Sequence, residues 1–457
     1  MTTNDSEDDQ TEAAESGWLS AGIIVAIIAT VALLVTSPWI LNLPVFYLLS
    51  QVVVISIVIW QACDPFADAA QWVGDTFRLP GSVRGATLDA VASSMPELFS
   101  GILFVVIAVM YSGETDIAIS SGEGFGATLA TCAGSAVYNM ILIPAICALV
   151  VSFNRKSRPT IDVDAEVISR DGVWFIACQF VLILCLFQPS MPWWIGILFL
   201  ALYALYVFQL YRDAIKYQRA MDAISIELGE VNEDTTSAQV VKALAKEGIA
   251  ANPVLVETIL HSSDSEEEHK HSASVLFGWF DIALNRTTAT YVLLSSTLIA
   301  AFACYWLVEV TRAAAVELNV PIFFVAVILT AAASSIPDTF LSVGAAMRGD
   351  DSGAVSNAFG SNIFDICVCL SIPLLVSSYL VDWQPVPLIQ DGKPMQGLVD
   401  LRILLALLTI VTLLIMWHNR QLTRNKAFVL CGLYGVFIAY AIAGSMGFSL
   451  LEIIGVL

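Results

Sequence analysis

The sequence predicts an all-α polytopic membrane protein with about 11 transmembrane helices, ten of them as two inverted five-helix repeats plus one extra N-terminal helix. Three observations lead to this prediction. The 457 residues are 57% hydrophobic and only 13% charged, with a mean hydropathy of +0.77, which is rare in soluble domains. A short polar motif occurs twice inside apolar runs, and lysine and arginine concentrate in alternate loops.

The apolar runs define the elements of the first half in order. Residues 1–17 are predicted to be an acidic disordered tail. Residues 18–42 are predicted to form the extra helix, for which a cleaved signal peptide is the rival interpretation. The first half, residues 45–211, is expected to hold five spans, at about 46–77, 82–110, 124–151, 172–190 and 193–211.

Residues 212–287 interrupt this pattern and read as a soluble acidic loop with a short helix at 238–246. The second half, residues 288–457, then repeats the plan of the first. Its five spans are expected at about 289–311, 321–346, 354–380, 399–417 and 426–447.

Positive charges assign the sides of the membrane. One side receives Arg78, Arg84, Arg155, Lys156, Arg158, Arg170, Arg212, Lys216, Arg219, Arg348, Arg420, Arg424 and Lys426. The other side receives Arg312, Lys393 and Arg402. This bias places the central loop in the cytoplasm. An odd number of spans separates equivalent points of the two halves, so the repeats are expected to cross the membrane in opposite directions.

The doubled motif reads ASSMPEL at residues 92–98 and ASSIPDT at residues 333–339. A carboxylate in mid-membrane costs about 2.5 to 3.5 kcal/mol even on a lenient scale, so two unused acids there are not expected. Helical spacing places both serines and the acid of each copy on one helix face. Each proline removes a backbone donor and is expected to kink or break its helix, which frees carbonyl oxygens.

A second polar element follows each copy, GSAVYN at residues 134–139 and GSNIFD at residues 360–365. In each element the serine and the last residue are one helical turn apart and therefore face one way. Hydroxyl, carbonyl and carboxylate oxygens at one depth are the ligands that hard cations such as Na⁺, K⁺ and Ca²⁺ require. Interrupted polar helices at corresponding places in two halves are typical of a transporter whose site lies at the repeat interface.

Other classes of protein find less support. The net charge of −21 leaves no basic face for nucleic acid. The nine cysteines lie mostly in apolar runs without metal-ligand spacing, which favours buried free thiols. The four histidines lie in or beside loops, so the sequence predicts neither an enzyme nor a cofactor. A cation channel would build rings of acids across subunits, whereas an inverted repeat within one chain favours a carrier.

The stretches GATLDAVASSMPELFSGI with GSAVYNMILIP, and AAASSIPDTFLSVGAAMRGD with GSNIFDICV, resemble the two alpha repeats of the cation/calcium exchanger superfamily. They most resemble its K⁺-dependent Na⁺/Ca²⁺ branch. On this resemblance the alpha repeats are residues 82–151 and 321–380. The resemblance implies a secondary antiporter in the plasma membrane that exchanges Na⁺ for Ca²⁺ by alternating access, with K⁺ co-transport as an open alternative.

The resemblance also implies a set of ion ligands. Glu97 and Asp338 would be the central Ca²⁺ and Na⁺ ligands, and Asp365 would bind K⁺ or an extra Na⁺. The remaining ligands would be Ser93, Ser94, Ser135, Asn139, Ser334, Ser335 and Ser361. In the family, an aspartate at the place of Asp365 goes with K⁺ dependence.

Asp89 departs from the family pattern, which has an apolar residue at this place. It lies two helical turns before Glu97. It could be a fourth site acid, a proton-carrying group or a residue at the water-filled mouth of the cavity. The second interpretation keeps a Ca²⁺/H⁺ antiporter as the alternative function.

Overall fold

The computed structural model describes residues 44–77, 79, 81–113, 116–155, 159–163, 168–228, 236–246, 256, 272–390 and 393–448. Within these residues, eight helices are long and apolar enough to cross a membrane, or nine if one bent pair forms a single span. The prediction of an all-α polytopic membrane protein is therefore confirmed. The span expected at 172–190 contains a helix of only 13 residues, Val173–Cys185, which is shorter than a full crossing. The predicted tail at 1–17 and extra helix at 18–42 lie outside the described residues, and the total of about eleven spans remains a prediction.

The first half begins with a long helix, α1, Pro44–Thr76. A short helix, α2, Gly81–Arg84, leads through one π-helical turn, π1, Gly85–Asp89, into α3, Ala90–Met110. The following elements are α4 (Ile117–Val137), π2 (Tyr138–Leu142), α5 (Ile143–Asn154), π3 (Ile168–Gly172), α6 (Val173–Cys185) and α7 (Trp193–Leu228).

The second half has a closely similar order of elements. These are α9 (Arg286–Leu318), α10 (Ile322–Val325), π4 (Ala326–Thr330), α11 (Ala331–Ser334), α12 (Ile336–Met347), α13 (Asp351–Phe364), π5 (Asp365–Cys369), α14 (Ser371–Leu380), α15 (Leu398–Trp417) and α16 (Arg424–Ser445). Helix α9 begins where it does because the side chain of Asn285 accepts hydrogen bonds from the first backbone N–H groups, those of Thr287 and Thr288.

The two motif prolines behave differently. Helices α11 and α12 are bent by 40° at Ser335, as the sequence predicts for the second copy. Helix α3 instead continues through Pro96, so of the kink or break expected at the first copy, the structure shows no break. Neighbouring helices let a membrane helix accommodate a proline. Helix α3 packs against α4, whose Thr128 hydroxyl donates to the carbonyl of Gly101 at 3.0 Å.

The described part of the segment between the halves includes two helical stretches. Helix α7 continues to Leu228, well past the predicted end of its span at 211. A further helix, α8, Ser237–Lys246, packs its Val240 and Leu244 against Ala220 and Ile224 of α7. This apolar contact explains the extension, since it gives the C-terminal end of α7 a partner to pack against.

A β-hairpin was not predicted. Strands β3 (Ser272–Val275) and β4 (Phe280–Ala283) pair antiparallel just before α9. The hairpin lies along α1, where the Ser274 N–H donates to Asp68 at 2.8 Å and the Phe277 N–H donates to Gln61 at 2.7 Å. The segment before α9 is therefore attached to the first helix of the other half.

Short strand pairs join loops at each end of the bundle. Strand β1 (Ile161–Asp162) pairs with β8 (Gln421–Leu422), and β2 (Ser190–Met191) pairs with β5 (Val386–Pro387). Strands β6 (Ile389–Gln390) and β7 (Lys393–Pro394) form a further pair within one loop. The loops after α5 and before α16 therefore share one end, and the loops after α6 and α14 share another. This grouping agrees with the sides that the positive charges assign.

The halves approach most closely beside the polar motifs. A Cβ atom on Gly134 of α4 would lie 2.2 Å from the carbonyl oxygen of Val327 in π4 and 2.6 Å from the Cβ of Ala331 in α11. Only glycine fits there, because any side chain would overlap with the facing backbone. The contact brings the serine that follows Gly134 next to the second copy of the motif.

Candidate cation site

Side chains from both halves converge on one buried polar cluster. All ten residues that the resemblance implies as ligands are 0% exposed. They come from α3, the α4–π2 junction, the α11–α12 bend and the α13–π5 junction, so each half contributes two segments. The ten are Ser93, Ser94, Glu97, Ser135, Asn139, Ser334, Ser335, Asp338, Ser361 and Asp365.

Ser135 is the centre of this cluster. Its hydroxyl oxygen lies 3.1 Å from Glu97 Oε1 and 2.8 Å from Asp365 Oδ2, so acids from different halves are two hydrogen-bond lengths apart. It also accepts from the Ser335 hydroxyl at 2.9 Å and from the Asn139 amide at 3.3 Å. A hydroxyl has one proton, so Ser135 can donate to only one of the two carboxylates at a time.

Asp338 is held from the same two directions. The Ser361 hydroxyl donates to its Oδ1 at 2.6 Å, and the Asn139 amide donates to its Oδ2 at 3.3 Å. Ser361 also lies 3.3 Å from the hydroxyl of Ser93. Asn139 also donates to Ser135, so it links Asp338 to the hydroxyl that contacts Glu97, as a common pocket requires.

Several buried oxygens of the cluster have no hydrogen-bond partner. They are Glu97 Oε2, Asp365 Oδ1, Asn139 Oδ1 and Ser94 Oγ. Among the described residues, no lysine or arginine forms a salt bridge with Glu97, Asp338 or Asp365. Buried charges without partners are strongly unfavourable, so the cluster requires cations or protons.

The carboxylates do not form a metal centre by themselves. In the described part of the chain, no three histidine, cysteine or acidic side chains come close enough together to hold a metal ion. The cluster instead places serine and asparagine oxygens between the acids. A site of this kind suits hard cations bound by mixed carboxylate, amide and hydroxyl oxygens, and it does not suit zinc.

Two of the predicted positions differ from the rest. The Ser334 hydroxyl donates at 3.2 Å to the carbonyl of Ala331, three residues earlier in its own helix. The side chain of Asp89 forms a salt bridge with Arg84, with Nε and Oδ2 3.7 Å apart. Asp89 meets the cluster through its backbone, because its carbonyl accepts from the Ser93 hydroxyl at 2.9 Å.

Sequence reasoning missed two asparagines beside the cluster. Asn357 donates to the Ser342 hydroxyl at 2.9 Å and to the carbonyl of Asp338 at 3.4 Å. Asn362 donates to the carbonyl of Ala136 at 3.3 Å, and its own Oδ1 has no partner. Both asparagines lie on a helix with mainly apolar neighbours, and that signal was available in the sequence.

Every segment that contributes to the cluster also contains a π-helical turn. Turns π1 and π4 precede the two copies of the doubled motif, while Asn139 lies in π2 and Asp365 begins π5. Such turns are rare and are concentrated at functional sites. Their wider backbone changes the direction of the side chains that follow, so helical spacing alone does not give the site geometry.

A helical membrane bundle with a buried cluster of acids and hydroxyls between its halves defines a carrier of cations. The chain belongs to the sodium/calcium exchanger protein family, which matches residues 47–212 and 288–443. The expected cation antiport and the resemblance to the exchanger superfamily are thereby confirmed.

Individual relatives agree with this assignment. Human sodium/potassium/calcium exchanger 5 is 25% identical over 70% of this chain and 68% of its own length. Bovine sodium/potassium/calcium exchanger 1 is 31% identical over 32% of this chain, although only 10% of that protein is covered. Human sodium/potassium/calcium exchanger 2 is 35% identical over 25% of this chain and 17% of its own length. The relatives support the K⁺-dependent branch.

Two solved structures are similar in shape. The H⁺/Ca²⁺ exchanger CAX aligns with a TM-score of 0.54 at 12% identity and covers 93% of this chain and 89% of that one. It therefore shares the fold. The sodium-calcium exchanger NCX_Mj, soaked with Na⁺ and Sr²⁺, aligns with a TM-score of 0.49 at 17% identity and covers 86% of this chain and 98% of that one.

Proposed function

We propose that the protein exchanges Na⁺ for Ca²⁺ across the membrane by alternating access, with K⁺ carried together with Ca²⁺. The observation that supports this proposal most directly is the shared hydroxyl of Ser135, which contacts Glu97 and Asp365. Acids that share a hydroxyl can enclose the same dehydrated ions. The three relatives named above, all sodium/potassium/calcium exchangers, support the choice of ions.

Charge balance supports K⁺ as the third ion. Glu97, Asp338 and Asp365 together contribute three negative charges when ionised. One Ca²⁺ with one K⁺ neutralises them, whereas Ca²⁺ alone leaves one buried charge unpaired, which is costly. In this proposal Glu97 and Asp338 are the central Ca²⁺ and Na⁺ ligands, and Asp365 binds K⁺ or an additional Na⁺.

Coupling of the two fluxes follows from the same charges. The cluster is wholly buried, so a conformational change with an empty site would move unpaired carboxylates through the low-dielectric interior of the protein. Ions that neutralise the acids remove this penalty. Loaded forms therefore change sides readily and the empty form does not.

We further propose that the protein lies in the cell membrane with the segment between α7 and α9 in the cytoplasm, and that its two halves are inverted repeats. The distribution of lysine and arginine supports this sidedness. The corresponding order of helices and π-helical turns in the two halves supports the repeat.

The test is Ca²⁺ uptake into vesicles that contain the purified protein and an imposed outward Na⁺ gradient. We expect uptake that requires Na⁺ inside, increases with K⁺ and persists with a proton ionophore. Uptake that is indifferent to Na⁺ and abolished by the ionophore would establish the alternative, Ca²⁺/H⁺ antiport. A current carried by Ca²⁺ without counter-transport would instead indicate a channel.

Site variants test the ligand assignment. Glu97→Gln and Asp338→Asn should each abolish exchange while insertion and thermal stability are retained, because each removes one charge that the ions neutralise. Glu317→Gln is the matched control, since it makes the same change on an exposed residue at the end of α9. Full activity of either site variant would refute the assignment.

A further inference from the structure

Asp89 belongs to a chain of charges between α1 and the start of α3. Arg84 lies 3.3 Å from Asp75 of α1 and 3.7 Å from Asp89 at the end of π1. The Arg84 stem also crosses α1 closely, because a Cβ atom on Gly74 would lie 3.1 Å from Arg84 Cδ. The three side chains are 22%, 29% and 14% exposed, in the order Arg84, Asp75 and Asp89. These charges are therefore nearer the protein surface than the cation site, whose residues are 0% exposed.

Helices α1 and α9 pack together and cover the site on one side. Ile59 and Cys63 of α1 form an apolar cluster with Cys304 and Leu307 of α9 and with Ala333 of the second motif. The Cys304 thiol approaches the carbonyl oxygen of Pro96 at 3.5 Å. Because the site is wholly buried, ions can reach it from this side only if the α1–α9 pair moves relative to the motif helices.

The second half has a neutral contact where the first has a charged one. Thr330 occupies the position eight residues before Asp338, as Asp89 does before Glu97, and it likewise ends a π-helical turn. Its hydroxyl lies 2.8 Å from that of Thr311 on α9. Each motif helix is therefore fastened near its start to one member of the α1–α9 pair, through charges in one half and hydroxyls in the other.

The charged contact also leads into the site. The Asp89 carbonyl accepts from Ser93, Ser93 lies 3.3 Å from Ser361, and Ser361 donates to Asp338. A change in the position of π1 relative to α1 would therefore reach a central acid through three consecutive contacts. The side chain of Asp89 need not touch the ions to have this effect.

We propose that Asp75, Arg84 and Asp89 form a tether that holds α1 against the start of α3 and so keeps the cytoplasmic side of the site closed. Asp89 is thus a positioning residue, neither a fourth ion ligand nor a proton carrier. Thr311 and Thr330 form the corresponding tether at the outer side. The sides, and the transport readout below, rest on the proposed function and topology.

The transport test compares the apparent KM for Ca²⁺ at the two faces in vesicles of defined orientation. The ratio of cytoplasmic to outer KM reports the balance between inward-open and outward-open states, since each apparent constant scales inversely with the population that can bind. Asp89→Thr and Arg84→Gln should lower this ratio by a factor between about 1.4 and 5, the range expected for a partly exposed salt bridge. Asp89→Glu, which keeps the charge, should restore the wild-type ratio.

Thr330→Val is the matched variant for the opposite side. It removes one hydroxyl at nearly constant volume, and Thr311 keeps its bond to the carbonyl of Leu307. The KM ratio should rise in this variant. A variant of Asp89 that raises KM equally at both faces, as loss of a ligand would, overturns the proposal. A lower maximal rate with an unchanged KM ratio would indicate a structural role only and would also overturn the proposal. A KM ratio that rises in the Asp89 variant would overturn it as well.

A second measurement does not depend on transport. Spin labels carried by non-canonical amino acids at Phe77, the residue after α1, and at Met347, the end of α12, report the separation of these elements. Both positions are exposed. Asp89→Thr should increase the fraction of molecules in which the two labels are far apart, and Thr330→Val should leave that fraction unchanged. If wild-type protein shows no Na⁺-dependent flux but the distances respond, the proposed function fails and the tether stands. If flux is normal and neither the ratio nor the distances change, the tether is refuted.

Discussion

Removal of the Ser135 hydroxyl should weaken Ca²⁺ binding more than removal of any other single hydroxyl in the cluster. Ser135→Ala deletes one atom that contacts four polar neighbours, two of them carboxylates. It leaves the backbone of α4 unchanged, so Gly134 can still approach the other half. The variant therefore isolates the contribution of the shared oxygen.

The size of the effect follows from the contacts. A hydrogen bond to a charged group contributes about 1.5 to 3 kcal/mol. Ser135 donates one such bond, because its single proton serves Glu97 or Asp365. Since about 1.4 kcal/mol corresponds to a tenfold change in affinity, the apparent KM for Ca²⁺ should rise between about 10-fold and 100-fold.

The assay is initial Ca²⁺ uptake at saturating Na⁺ gradient, with KM and maximal rate determined separately. Ser152→Ala is the control, since its hydroxyl only donates to the carbonyl of Leu149 at 2.8 Å within α5. The double variant Ser135→Ala with Ser335→Ala should be less damaged than the sum of the single variants, because the two hydroxyls bond to each other and both approach Glu97. A KM within twofold of wild type in a folded Ser135→Ala protein would refute the shared-oxygen reasoning.

Three other predictions concern the neighbouring structure. Asp365→Asn should lose any K⁺ requirement while retaining part of its Ca²⁺ transport, as measured by uptake at varied K⁺. Gly134→Ala should lower thermal stability and abolish transport, since its Cβ would overlap with the π4 backbone. Overpacking of this kind typically costs about 1 to 3 kcal/mol or more. The control Gly435→Ala should be neutral, because a Cβ atom there would have no other atom within 4 Å. Arg155→Gln should destabilise the protein by about 1 kcal/mol, because it removes the partly buried salt bridge to Asp351 at 2.6 Å. Transport should be retained, because this salt bridge lies away from the ions. Thermal unfolding in detergent measures the loss of stability.

The residues of the cluster could be predicted because their signals are local. Two serines and an acid at helical spacing occupy one face whatever the surrounding fold. An acid inside an apolar run is seldom present without a function, because a charged side chain in lipid is energetically unfavourable. Repetition of the pattern then indicates that the two copies meet, and the contacts of Ser135 and Asn139 show that they do.

The geometry of the cluster could not be predicted in the same way. Whether a turn is α-helical or π-helical depends on which neighbours satisfy its backbone groups, and those neighbours are distant in sequence. Both motif prolines carry the same local signal, yet only the second helix is interrupted at its motif. The role of Arg84 was hidden for a related reason, because an arginine before a span reads first as a marker of sidedness.

The two halves have a similar order of elements but contribute different numbers of acids to the site. The first contributes Glu97, and the second contributes Asp338 and Asp365. Asn139 stands where the second half has Asp365, and its amide nitrogen donates to Asp338 at 3.3 Å. An aspartate in its place would bring a second carboxylate to the same distance, at which two unit charges repel by about 5 kcal/mol for an effective dielectric constant of 20. The amide removes that repulsion and still offers its Oδ1, which has no other partner. Two halves with a similar order of elements thus hold three acids, a number that one divalent and one monovalent cation can neutralise together.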